Sequence, residues 1–182
     1  MAYETETKVL DINTEQMKGK LRSVDAREIQ DTTLIVDWYH VRGTKPGEDP
    51  WFLRIRSNSE GGHEVTWKAK SDVLGVSRRH KEINFMVEEP EKLAELFDEL
   101  GLEPYAHQEK RRTSFEYEGW RFDIDQYPGM PAYMEIEGAS EEHVKEALAM
   151  LGLESNRTSA EGERVLIQDT YGLDWYDMRF QD

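Results

Sequence analysis

The chain has 182 residues, 37% of them hydrophobic and 34% charged, with a mean hydropathy of −0.80. At about 150 residues per domain this length fits one domain over residues 1–182, long enough to bury a core. Its 38 acidic and 23 basic residues give a net charge of −15, which argues against general binding to nucleic acid or anionic membrane, because both need a basic surface that releases counterions. The lack of cysteine excludes disulfides, thiolate metal sites and cysteine nucleophiles, so any metal must be held by oxygen or histidine. No run approaches the roughly 20 apolar residues of a membrane span, and Met1-Ala2-Tyr3-Glu4 lacks the regions of a signal peptide, so a cytoplasmic location is expected.

In chain order, residues 2–10 alternate as a strand, and a helix is predicted over 14–29 with Met17, Leu21 and Val24 in register. Strands follow at 32–42, 51–58, 63–70 and 80–89, the first two joined by the breaker-rich loop 43–50. A second helix is predicted over 90–100, with Pro90 at its first position and Gly101 as its left-handed stop. Strands at 108–117, 119–127 and 132–138 lead to a third helix over 140–151, with Ser140 as N-cap and Gly152 as stop. Eight strands and three helices give an α+β fold.

Side chains alternate across a strand, so each segment sorts into two rows. Trp51, Leu53 and Ile55 oppose Arg54 and Arg56, and Val65, Trp67 and Ala69 oppose Lys68 and Lys70. Ile83, Phe85 and Val87 oppose Glu82, Asn84 and Glu88. Trp120, Phe122 and Ile124 oppose Asp123 and Asp125, and Met134 and Ile136 oppose Glu135 and Glu137. One face reads as apolar throughout, the other as charged. A half-solvated sheet explains any single strand. It does not explain the segregation of sign, with Lys110 and Arg112 joining the basic strands and the acidic residues gathered in the first strand and the last two, because like charges on neighbouring strands repel.

A barrel with its apolar face under the helices and its charged rows inside accounts for that segregation. Arg54, Arg56, Lys68, Lys110 and Arg112 would then cradle phosphate oxygens. Glu4, Glu6, Asp125, Glu135 and Glu137 would offer the hard oxygen ligands that Mg²⁺ or Mn²⁺ prefers. Glu82 and Asp123 point inward by parity and would hold a cation in place, and Lys70 lies one step along the Lys68 row. The five histidines show no ligand spacing and read as surface or rim residues, and Trp38, Tyr39, Trp51, Trp67 and Trp120 read as packing groups.

These residues carry a family resemblance. Glu4-Thr5-Glu6-Thr7-Lys8 resembles the Glu-x-Glu-x-Lys motif of the CYTH superfamily, the triphosphate tunnel metalloenzymes. Leu53-Arg54-Ile55-Arg56, Thr66-Trp67-Lys68, Glu82, Lys110-Arg111-Arg112, Asp125 and Glu135-Ile136-Glu137 follow in that family's order. Ala69-Lys70 replaces the family's frequent Gly-Pro, and Pro131-Ala132-Tyr133 replaces its usual Gly-x-Phe. The resemblance implies an eight-stranded antiparallel β-barrel, a triphosphate tunnel with helices packed on the outside, holding a metal-bound small-molecule triphosphate such as tripolyphosphate, ATP or thiamine triphosphate. It implies a triphosphatase or, alternatively, a class IV adenylate cyclase, nearest the bacterial cyclase-like branch. One ion would be held by Glu4, Glu6, Glu135 and Glu137, and a second near Asp125 would orient a water. Lys8 either assists the nucleophile or pairs with Glu4 and Glu6. A non-catalytic polyphosphate- or nucleotide-binding module stays open as a further reading, as does monomer or homodimer. An apolar ligand is disfavoured by the cost of burying so many charges without a charged partner.

Overall fold

In the computed structural model, residues 3–46, 48–70, 72–74 and 77–181 are described, with backbone alone for residues 3–4, 72–74 and 78–80. The strands are β1 (Tyr3–Ile12), β2 (Arg27–Val41), β3 (Trp51–Asn58), β4 (His63–Ala69), β5 (Asp72–Leu74), β6 (Ser77–Met86), β7 (Leu102–Tyr117), β8 (Trp120–Gln126) and β9 (Ala132–Gly138). Between and after them lie the helices α1 (Thr14–Ser23), α2 (Pro90–Glu99) and α3 (Glu141–Met150). The C-terminal segment adds β10 (Thr158–Ser159), a single turn α4 (Glu163–Val165) that continues as a π-helical stretch at Leu166–Thr170, and β11 (Asp177–Met178).

Antiparallel ladders run β1–β9–β8–β7–β2–β3–β4–β6, and β6 returns to β1 through Tyr3↔Lys81 to Glu6↔Arg78. These eight strands are therefore the expected barrel. β1 pairs with β6 over its first residues and with β10 at Lys8 and Val9, so the C-terminal segment enters beside the seam.

The helices lie outside for the reason their patterns imply. Met17 and Leu21 of α1, with Val144, Ala147 and Leu148 of α3, pack on Val9, Phe115, Phe122, Ile124, Met134 and Ile136, the outward rows of β1, β7, β8 and β9. Phe97 of α2 covers Tyr39, Leu53, Ile55 and Val65. Ser140 Oγ accepts the His143 backbone N–H at the start of α3, and Gly101 and Gly152 follow α2 and α3 at φ of 77° and 62°.

Several expectations need correction. The first helix stops at Ser23 instead of 29, because Asp25 takes a left-handed φ of 60° and Arg27–Glu28 already pair with β7. β7 begins at Leu102 instead of 108, accommodating Pro104 at a register shift against β2, one of the few places a sheet tolerates proline. β6 is displaced toward the N-terminus, at 77–86 instead of 80–89. The inward faces are not charged throughout. Trp38 and Val36 share a face with Arg54 and Arg56 by register, and Leu34, Val36 and Trp38 pack with Leu166, Ile167 and Trp175 of the C-terminal segment. One end of the barrel is thus filled like an ordinary core. Nor is the outward face covered throughout, since Ile83 and Phe85 of β6 are 48% and 57% exposed beyond the edge of α2. His40, expected at the surface, is buried against Tyr105.

Candidate active site

Of the predicted site residues with described side chains, all but Lys8, Lys110 and Asp125 line one cavity of about 760 Å³. Those three are buried and bonded to residues that do, Lys8 to Glu135, Lys110 to Glu163 and Asp125 to Arg112. The Glu4 side chain lies outside the described residues, while its backbone pairs with His80. Register brings the acidic rows together: Glu6 faces Glu137, Lys8 faces Glu135, and Asp123 faces Glu135 across β1, β9 and β8.

The acidic and basic rows neutralise each other. Arg112 donates from Nε and Nη2 to Asp125 at 2.6 and 2.5 Å, from Nη1 to Asp123 at 2.7 Å, and from Nη2 to Glu135 at 3.1 Å. Burial works to lower the Arg112 pKa, but Asp123, Asp125 and Glu135 hold it well above its ordinary value. Burial works to raise the Asp123 pKa, but Arg112 and Arg121 prevail and it lies below its usual range. Lys8 Nζ is 3.0 Å from Glu135 and 3.6 Å from Glu6, so it pairs with two of the predicted ligands. Lys68 pairs with Glu82 at 2.5 Å, and Arg56 pairs with Glu64 at 2.5 Å. Burial, with Arg54 and Arg112 close by, pulls Arg56 down to about 10, still cationic at neutral pH.

Arg54 differs from the rest. It is 7% exposed, lies with its guanidinium carbon 5.3 Å from the Trp38 ring centroid, and has no ion pair among the described residues; its Nε has no hydrogen-bond partner there. A buried cation held by no direct ion pair is costly, and here the field of Glu163 across the cavity offsets part of that cost.

Three contributors escaped the sequence reading. Glu163 of α4 reaches into the barrel, where it accepts from Lys110 Nζ at 2.6 Å and from the Tyr133 hydroxyl at 2.9 Å. Burial works to raise the Glu163 pKa, yet Lys110 brings it below the carboxylate range. Burial first, then Glu163 and Asp125, push the Tyr133 phenol well up, so it remains a donor. The third is the cavity face of Trp38, which was read as a packing group alone: it does pack in the core, but with Phe52 and Trp175 it also gives the cavity an aromatic wall. No periodicity marks 158–165, which is why Glu163 was invisible; the departure at Pro131-Ala132-Tyr133 did flag the position of Tyr133.

The donor set fits a hard divalent ion. Asp125, Glu135 and Glu163 each offer an oxygen within 4.8 Å of the others, and Glu6 and Glu137 stand beside them on the same face. Among the described residues no helix is long and apolar enough to cross a membrane.

A family model described as the CYTH domain matches residues 2–163. No curated protein matches the sequence. Among solved structures, a conserved hypothetical protein from Pyrococcus furiosus is similar with a TM-score of 0.72 at 22% identity, over 88% of this chain and 97% of that one. HpAC1 from Hippeastrum, named as a candidate adenylyl cyclase with a dominant triphosphatase activity, gives 0.70 at 12% identity over 93% and 96%. A candidate adenylate cyclase from Bacillus halodurans gives 0.60 at 19% identity over 94% and 100%. At these identities the likeness is one of fold.

Proposed function

The chain belongs to the CYTH domain family, and from that premise we propose that it is a metal-dependent enzyme acting on a triphosphate inside the barrel, hydrolysing inorganic tripolyphosphate or a related organic triphosphate. The observation that carries the reading is Arg54: buried, cavity-lining and in no direct ion pair among the described residues, with Glu163 answering its charge only from a distance. A phosphate chain supplies the direct partner. Arg54 takes it first, and Arg56 and Lys68 lie along the same cavity for further oxygens.

Glu4, Glu6, Glu135 and Glu137 would hold Mg²⁺ or Mn²⁺, with Asp125 beside them. When bound, such an ion would supply Lewis-acid charge stabilisation to the phosphate and would lower the pKa of water. Lys8 fixes the Glu135 and Glu6 carboxylates, and its ammonium stands ready to steady the departing charge. Asp125, fully buried and bonded through both oxygens, holds Lys110 and Arg112 in place, a positioning role in place of the water-orienting one expected from the sequence; Asp123 anchors Arg112 and Lys70 extends the basic row.

The aromatic wall of Trp38, Phe52 and Trp175 favours a second reading, in which ATP is bound and its 3′-hydroxyl attacks the α-phosphate to give cyclic AMP and pyrophosphate. A phosphorus NMR time course with Mg²⁺ or Mn²⁺ separates the two. Tripolyphosphate converted to pyrophosphate and phosphate, with ATP untouched, supports the hydrolase. Cyclic AMP and pyrophosphate from ATP support the cyclase. Turnover of neither refutes both and leaves a binding module.

A further inference from the structure

We propose that Gln108 is a positioning residue for anion binding, holding the Trp38 ring in the plane on which the Arg54 guanidinium rests. This rests on the triphosphate reading above.

Gln108 lies on β7 in the row of Ala106, Lys110 and Arg112, and it is fully buried. A neutral amide therefore stands in a row whose next two members are cations. Its two partners explain it. Oε1 accepts from the Trp38 indole N–H, and Nε2 donates to the Trp175 backbone carbonyl at 2.5 Å. An indole nitrogen can only donate and a carbonyl can only accept, so the amide satisfies both in one orientation alone. Lysine or arginine there would have nothing to accept with, and a carboxylate nothing to donate.

Trp38 is the link to the site. It stands opposite Arg54 in the β2–β3 ladder, lines the cavity, and has its ring centroid 5.3 Å from the guanidinium carbon. Arg54 has no direct ion pair among the described residues, so the ring face is the contact that sets where its charge sits. Phe52 and Trp175 pack on the same ring, at 6.4 and 5.3 Å between centroids, but such contacts do not fix its rotation as a hydrogen bond does. Without Gln108 the indole N–H would be buried and unpaired, and turning toward the cavity, which has room for water, would satisfy it. That turn would take the ring away from Arg54. Through the Trp175 carbonyl the same amide also ties the receptor to the C-terminal segment.

The test is a double-mutant cycle on the full chain, titrated with tripolyphosphate by calorimetry in metal-free buffer. Gln108→Met keeps the volume of the side chain and makes neither bond, and Trp38→Phe keeps a ring with no N–H to hold. Each single variant should bind about tenfold more weakly, the loss of a cation held over an aromatic face. The double variant should bind no more weakly than either single one, because Gln108 acts only through Trp38. A loss of about a hundredfold in the double variant, the product of two independent effects, overturns the proposal, as does wild-type affinity in folded Gln108→Met. Nitrogen-15 NMR supplies a second reading. The chain has five tryptophans, and the indole signal of Trp38 is the one that Trp38→Phe removes. Its proton should be protected from solvent exchange in the wild type and exchange freely in Gln108→Met; unchanged protection overturns the proposal. If Gln108→Met does not fold, Gln108→Asn, one methylene too short to reach both partners, takes its place in the cycle. A wild type that does not bind tripolyphosphate overturns the triphosphate reading and this role with it, whereas binding that ignores Gln108 overturns this role alone.

Discussion

Replacing Arg54 with methionine separates its cost from its use. An unpaired buried guanidinium carries a desolvation penalty of several kcal/mol, reduced here because the group faces a cavity that admits water and because its contact with Trp38 contributes about 0.5–2 kcal/mol. The net cost left is about 1 kcal/mol, so unliganded Arg54→Met should melt about 2–4 °C higher than the wild type. With tripolyphosphate the sign reverses. Losing charge-assisted hydrogen bonds of about 1.5–3 kcal/mol weakens binding by about 10- to 150-fold. At a ligand concentration of about 100 times the wild-type Kd, the wild type gains about 2.7 kcal/mol, while a variant bound about 100-fold more weakly gains about 0.4 kcal/mol. The wild type should then be the more stable protein by about 1.3 kcal/mol. Thermal unfolding with and without tripolyphosphate in metal-free buffer reads both signs. A variant that is destabilised without ligand and keeps the full ligand-induced shift would refute the assignment of Arg54 as an anion receptor.

Two more outcomes follow from the same geometry. Glu6→Gln and Glu135→Gln should each weaken Mn²⁺ binding, followed by calorimetry, and lower turnover by about 100-fold or more, with far-ultraviolet circular dichroism unchanged; full metal-dependent turnover in both would remove the acidic rows from the mechanism. Asp123 and Glu163 have folded pKa values below their ordinary 3.8 and 4.5, so each contributes stability that is complete above those values and lost as pH falls through the depressed ones. Urea midpoints should hold level down to about pH 4.5 and fall below it, and Glu163→Gln should flatten the fall; a midpoint that rises on acidification contradicts the sign.

The alternation of β3, β4, β8 and β9 was legible because each of these strands presents a single apolar row to a helix and a single charged row to the cavity. That regularity located Arg54, Arg56, Glu135 and Asp125 on one face before any coordinates. It failed on β2, where Leu34, Val36 and Trp38 point inward against the C-terminal segment, since period-two alternation gives two faces but does not say which is inside. The same limit hid the exposure of Ile83 and Phe85, which depends on how far α2 reaches and not on their own strand. Glu163 was out of reach for another reason: a single turn of helix has no pattern, and its importance comes from Lys110 and Tyr133, distant in sequence.

The seam has a kinetic meaning. Thr5 pairs with Gly138 on one side and with Arg79 on the other, so β1, the first strand of the chain, lies between two strands that are made later. Closing loops of that length costs chain entropy before any contact repays it, and barrels dominated by such non-local pairing fold slowly. The row that holds Glu6 against Glu137 exists only once β1 has paired with β9, which lies more than a hundred residues further along the chain. In a refolding experiment the divalent ion should therefore leave the early burial of Phe115, Phe122 and Ile136 untouched and act on the final phase alone, reporting the moment at which the two ends of the sheet meet.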